Sequence, residues 1–373
     1  MEKNRIKCSL YDSESIDFTT TKMFFGEGRN LQRYDVQKYP YYDQITQRMM
    51  SYFWRPEEVS LLRDSSDFQK LTEHESFIFT ENIKYQILLD SVQGRSPILT
   101  FGQVVTIPEL EEAINVWGFF ENIHSMSYSY IIKNLYDAPS EVFDEIMINE
   151  MIKVRAEDVT NYYNQFYESL ALYHAESVDE GGLKVSDERL KRELYLALVS
   201  VNILEGIRFY VSFACSFSFA EHQKMEGNAK ILKLIARDEN EHLALTQRII
   251  MDLREKEEEG FSDIVHSLDH EVYEMYRSAI AQEIEWAEHL FKGKTVIGLN
   301  KELLVQYMHY MADRRLHAIG LQPIYGETKN PLKWMKNWLR NDHVEVLPQE
   351  TEISSYVVGG VDMNFKEVTF DFE

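Results

Sequence analysis

Four long stretches of this chain place polar residues on rows that are otherwise apolar. Over about 71–92, Phe79, Ile83, Ile87 and Asp90 recur at helical spacing, with Gly94 just past the end. In the next stretch Leu110, Ile114, Trp117, Glu121, His124, Tyr128 and Leu135 share one face. A third row reads Leu194, Leu198, Val201, Glu205, Phe209 and Phe213, and a fourth Ile231, Ile235, Glu239, His242, Leu245 and Ile249. Each row predicts an amphipathic helix carrying an acid or an imidazole where a hydrophobe is expected. Thr106-Ile-Pro-Glu109 has the pattern of a capping box opening the second helix. Helical periodicity runs from about residue 30 to 340, strand-like alternation is scarce, and Asp179-Glu-Gly-Gly182 reads as a loop. The expectation is an all-α fold, with one domain over 1–340 and a flexible tail over 341–373.

The polar residues on these rows are not scattered. The chain has two Glu-x-x-His pairs, Glu121-Asn-Ile-His124 and Glu239-Asn-Glu-His242. Asp90 precedes the first by 31 residues and Glu205 precedes the second by 34. Residues three apart on a helix lie about 5–6 Å apart on one face. Each half therefore offers an acid plus Glu-x-x-His, the arrangement used by di-metal carboxylate sites in ferritin-like helical bundles. Four buried carboxylates would be costly to desolvate alone, whereas two divalent cations would neutralise them. Oxygen and imidazole donors without thiolates suit Fe or Mn, and speak against an iron–sulfur cluster or structural zinc. The other nine histidines form no comparable pattern. Glu241 reads as solvent-facing, and Arg208 and Asp238 as buried ion-pair or supporting groups. Tyr128, one turn beyond His124, reads either as a core aromatic or as a tyrosine oxidised beside the metals.

Composition narrows the class. Hydrophobic content of 44% and charged content of 27% are those of a soluble globular protein, and 22 Tyr with 21 Phe suit a ring-packed core. The net charge of −23 speaks against nucleic acid or an anionic membrane as partner, and fits docking on a more basic surface. Cys8 and Cys215 have no metal or redox spacing, which points to a reducing cytoplasm. The first residues lack the apolar run of a signal peptide. The most apolar stretch, about Leu194 to Ala220, carries Asn202, Glu205 and Arg208 at mid-span, so it reads as a core helix rather than a membrane span. The last 24 residues hold six acids against one lysine and end Phe370-Asp-Phe-Glu373, the composition of a segment that orders on binding a partner.

The residues around these positions closely resemble the small (beta, radical-generating) subunit of class I ribonucleotide reductase, of the class Ia type. The resemblance covers nearly the whole chain. It is carried by Met23-Phe-Phe-Gly26, Phe53-Trp-Arg-Pro-Glu-Glu-Val59, Lys84-Tyr-Gln-Ile-Leu-Leu-Asp90-Ser-Val-Gln-Gly-Arg-Ser-Pro97 and Glu121-Asn-Ile-His124-Ser-Met-Ser-Tyr128. Further matches are Glu205-Gly-Ile-Arg-Phe-Tyr-Val-Ser-Phe213, Met225-Glu-Gly-Asn-Ala-Lys230, Ala236-Arg-Asp-Glu239-Asn-Glu-His242 and Ser354-Ser-Tyr356.

The resemblance implies a division of labour. Asp90, Glu121 and His124 would hold the iron nearer the tyrosine, Glu205, Glu239 and His242 the second, with Glu121 and Glu239 bridging. Tyr128 would carry the radical inside an apolar pocket of Phe209, Phe213 and Ile235. Trp54 and Asp238 would connect the cluster to the surface through His124, and Glu350 and Tyr356 would act in the tail. The cofactor would be two iron ions, manganese being compatible, with O2 as oxidant. The partners would be a large (alpha) subunit, which reduces ribonucleoside diphosphates, and a second copy of this chain as homodimer. A di-iron oxygenase and a ferritin-like iron store share the ligand set, but the Trp54 and Tyr356 motifs and the long tail speak against both. Asn240-Glu241 and Met126 depart from enterobacterial relatives without touching a ligand position.

Overall fold

The computed structural model describes residues 10–26, 28–176 and 185–339. The chain divides into two units, Met1–Asn341 and Asp342–Glu373. The second lies outside the described residues, and so do Glu350, Tyr356, Cys8 and the predicted loop at 179–182.

Among the described residues the architecture is helical, with two isolated bridges, Phe24–Val105 and Val296–Leu299, and no strand. The main helices are α1 (Pro40–Ser51), α2 (Glu73–Gln93), α3 (Pro108–Leu135), α4 (Glu150–Glu176), α5 (Asp187–Glu221), α6 (Glu226–Glu255), α7 (Asp269–Phe291) and α8 (Lys301–Ala318), followed by the short α9 (Met335–Leu339). The four predicted rows lie on α2, α3, α5 and α6. These helices pack against one another, α2 on α3 and α5, and α6 on α3 and α5, so their rows converge on one interior. Every residue of the predicted rows is buried except Ile87.

Local chemistry sets the helix starts. Thr72 accepts a hydrogen bond from the Glu75 backbone N–H, and the Glu75 carboxylate accepts from Thr72 N (2.9 Å), a complete capping box for α2. The box expected at Thr106 does not form. Its hydroxyl donates to the Lys22 carbonyl (2.6 Å), and Glu109 accepts from the Tyr39 backbone N–H (2.8 Å). Tertiary partners take both groups, and α3 starts on Pro108 instead. At α6 the cap comes from elsewhere in the chain: Asp64, on the short helix Leu62–Phe68, accepts from Gly227 N (2.9 Å) and Asn228 N (2.5 Å).

From Leu194 to Phe219 α5 is buried on all sides. It is long and apolar enough to cross a membrane, but its apolar window is wholly covered by the bundle, as expected of a core helix. A π-turn, Leu204–Arg208, interrupts it. Gly206 within that turn lets Arg315 approach: a Cβ there would stand 3.0 Å from the guanidinium Nε. Cys215 is buried with a free thiol, which burial pushes up to about 12.

Candidate metal centre

The helical rows bring six donor side chains together, all completely buried. Asp90 comes from the last turn of α2, Glu121 and His124 from α3, Glu205 from the π-turn of α5, and Glu239 and His242 from α6. Asp90, Glu121, His124 and Glu239 form one group; Glu121, Glu205, Glu239 and His242 form another. Within each group the ligand atoms all lie within 4.8 Å of one another. Glu121 and Glu239 belong to both. His242 Nδ1 stands 3.0 Å from Glu239 and 3.1 Å from Glu121, and His124 Nδ1 stands 3.1 Å from Glu239.

The electrostatics are those of acids crowded away from water. Burial, with Glu121 and Glu239 nearby, pushes the Asp90 carboxyl well above its usual range. Burial and Glu239 do the same to Glu205. Glu239 goes the other way: against its burial, the neighbouring Glu205 carboxyl and the charge of His124 hold it well below the carboxylate range. His242, against its burial, is pushed up to about 9 by Glu121 and Glu239. These shifts are the mark of negative charge crowded together away from water. Both oxygens of Asp90, Glu121 Oε2, Glu205 Oε2, Glu239 Oε1, His124 Nδ1 and His242 Nε2 have no hydrogen-bond partner. Buried polar atoms are rarely left so. Four carboxylates and two imidazoles around unpaired lone pairs fit two divalent cations of the Fe or Mn type.

Tyr128 is fully buried on the same row of α3, its hydroxyl without a partner. Burial first, then the Asp90 carboxylate, push its phenol far above the ordinary value. Phe209, Phe213 and Ile235 are fully buried, and the two phenylalanine rings stack 5.9 Å apart. Trp54 is buried and donates from Nε1 to Asp238 Oδ2 (2.7 Å). The same oxygen lies 3.3 Å from His124 Nε2. A continuous polar contact therefore runs from Trp54 to the donor cluster.

Three side chains outside the expected set also bear on the cluster. Trp117 Nε1 donates to Glu121 Oε1 (2.8 Å), and Gln93 Nε2 donates to Glu205 Oε1 (2.6 Å) while accepting from the Tyr163 hydroxyl (2.9 Å). Gln93, three residues after Asp90, was legible as a polar residue at the end of an inward row; its partner was not. Glu241 corrects an expectation. It is buried rather than solvent-facing, because Arg48 of α1 pairs with it at 3.0 Å. Asn240 is also buried and accepts from the Tyr210 hydroxyl (2.6 Å), while Met126 is exposed on the outer face of α3. Arg208 pairs with Glu283 and Asp158, away from the centre.

Comparison with known proteins gives the lineage. The model of the family "Ribonucleotide reductase, small chain" matches residues 33–331. The ribonucleoside-diphosphate reductase subunit beta of Buchnera aphidicola subsp. Schizaphis graminum is 47% identical over 356 residues, 93% of this chain and 94% of its own. The ribonucleoside-diphosphate reductase 1 subunit beta of Escherichia coli O157:H7 is 47% identical over 346 residues, 91% of this chain and 92% of its own. The ribonucleotide reductase R2 subunit from Clostridium botulinum superposes with a TM-score of 0.79 at 28% identity, covering 91% of this chain and 100% of that one. The ferritin-like bundle, the clustered carboxylates and these relatives agree, and the chain belongs to the ribonucleotide reductase small-chain family, as the small subunit of a ribonucleoside-diphosphate reductase.

Proposed function

We propose that the six buried donors hold two metal ions, iron foremost with manganese fitting the same ligands, and that Tyr128 beside them is oxidised to a radical on which the large subunit draws. The observation that carries this reading is the overlap of the two donor groups through Glu121 and Glu239, with unpartnered atoms at every member. Two carboxylates common to both groups are suited to bridge a pair of ions. When bound, the metals would supply, with O2, the oxidising power that removes one electron from a phenol. The protein's own residues do the rest. Asp90, Glu121 and His124 face the Tyr128 side; Glu205, Glu239 and His242 complete the other. The buried walls, with Phe209, Phe213 and Ile235 as pocket residues, keep water and reductants from Tyr128.

Transfer outward follows Trp54, Asp238 and His124, whose hydrogen-bonded contact supports a path from the metals toward the surface. Glu350 and Tyr356 would continue it in the 341–373 tail, toward the large subunit with which this family works. A homodimer in a reducing cytoplasm completes the reading. Phe53 stacks on Phe119 at 6.1 Å with both rings half exposed, and Met126 lies on the same helix, an apolar surface suited to a second copy.

The test is aerobic addition of Fe(II) to metal-free protein. A tyrosyl signal in electron paramagnetic resonance is expected, and Tyr128→Phe abolishes it. No radical with iron, or with manganese and an activating flavoprotein, would sink the assignment. Removing residues 350–373 should leave the radical intact and stop turnover with the large subunit; normal turnover would refute the tail's part.

A further inference from the structure

Gln93 closes α2 three residues after Asp90 and is completely buried. One helix end thus serves both donor groups: Asp90 enters one, and Gln93 grips Glu205 of the other. Two contacts set the amide. Tyr163, on α4, is fully buried, and burial with the nearby Glu205 and Glu121 keeps its phenol protonated. Its hydroxyl donates to Gln93 Oε1 (2.9 Å), which turns the amide N–H2 toward Glu205 Oε1 (2.6 Å). Phe101 fixes the Tyr163 ring from the side at 5.6 Å.

Glu205 is the donor that most needs such a hold. It sits in the π-turn, outside the regular helical ladder that carries the other five. Its Oε1 is taken by Gln93, and its Oε2 is without a partner. On the far side Tyr163 lines a cavity of about 630 Å³ together with Ile87, Val92, Leu99 and Phe143. Tyr163 thus meets that cavity on one side and Gln93 through its hydroxyl.

We infer that Gln93, oriented by Tyr163, is the positioning residue for Glu205, holding one of its oxygens so that the other is presented to the second metal ion. This rests on the two-metal reading above. Groups that hydrogen-bond a ligating side chain typically change metal affinity by roughly 10–100-fold when removed. The effect belongs to one ion of the two, because the Gln93 side chain hydrogen-bonds Glu205 and Tyr163 and no donor of the Asp90 side.

The experiment is titration of the metal-free full chain with Mn(II), reading free Mn(II) by its six-line resonance. The wild type takes up two ions. Gln93→Leu keeps the first at unchanged affinity and weakens the second by roughly 10–100-fold. Tyr163→Phe, which removes only a hydroxyl and frees the amide to rotate, shifts the second ion the same way by less. Helical circular dichroism reports folding, and if Gln93→Leu fails to fold, Tyr163→Phe decides. Two ions bound at wild-type affinity by the variants overturns the inference, as does an equal loss at both sites. A wild type that never takes two ions instead overturns the two-metal reading.

Discussion

Asp238 divides its carboxylate between two tasks. Oδ2 receives Trp54 Nε1 at 2.7 Å and lies 3.3 Å from His124 Nε2, while Oδ1 is held by Arg237 at 3.1 Å. Arg237 in turn grips the carbonyl of Tyr52 (2.6 Å), two residues before Trp54. The indole, the carboxylate and the imidazole are thus aligned by fixed contacts, and misalignment by even 1 Å costs on the order of 100-fold where transfer depends on geometry. If Tyr128 carries a radical as proposed, Asp238→Asn should let it form while turnover with the large subunit falls by about that factor. Spin quantitation beside a deoxynucleotide assay checks it; equal losses in both would move Asp238 into radical formation. At this scale the donor residues were legible because Glu121, His124, Glu205, Glu239 and His242 interrupt apolar rows. Glu241 was not, because its burial depends on Arg48, 193 positions away in the chain. Nor was the role of Gln93, whose partner Glu205 lies 112 positions on.

Helix starts illustrate how far a local motif reaches. Thr72-x-x-Glu75 and Thr106-x-x-Glu109 are the same pattern, yet only the first caps its helix. At Thr106 both side chains are captured by residues 22 and 39, contacts that no window of a few residues contains. Thr72→Ala should therefore destabilise the protein by about 1 kcal/mol, the usual worth of an N-cap. Thr106→Val would act on the Lys22 contact rather than on helix propensity. Glu75 adds a pH dependence. Against partial burial, Lys224 and Thr72 lower its carboxyl from the ordinary 4.5. A lowered acid contributes stability above its unfolded value and loses it as pH falls through the folded one. The gap in thermal stability between wild type and Glu75→Gln should be present at neutral pH and close below pH 4.5. A gap unchanged in acid would exclude the charge of Glu75 as its source.

For the molecule as a whole, the centre is where charge and fold meet. A chain of net charge −23 gathers four carboxylates in its interior, where protons or cations must balance them. Because the helices pack on one another through extended apolar rows, the metal-free protein should keep its helical content. Metal binding then adds stability by mass action, about 2.7 kcal/mol per site when the free ion is 100 times its dissociation constant. Chelation should accordingly lower the melting temperature without changing the circular dichroism below the transition. Loss of helix on chelation would mean that the metals build the bundle rather than occupy it. The all-α architecture was readable from periodicity alone, since the predicted rows proved to be the faces that converge. The cap on α6 from Asp64 was not, for it joins segments 163 positions apart, and no periodicity marked the π-turn.

The π-turn has a consequence for how this gene tolerates change. A π-turn spans one residue more than the regular ladder needs. Losing a single codon within Leu204–Arg208 would let the helix close up as an ordinary one, with both flanks still in phase. Such a deletion, normally ruinous in a buried helix, would here leave a folded bundle from which Glu205 has been withdrawn. A one-residue shortening at this turn would thus separate the scaffold from the donor set it carries.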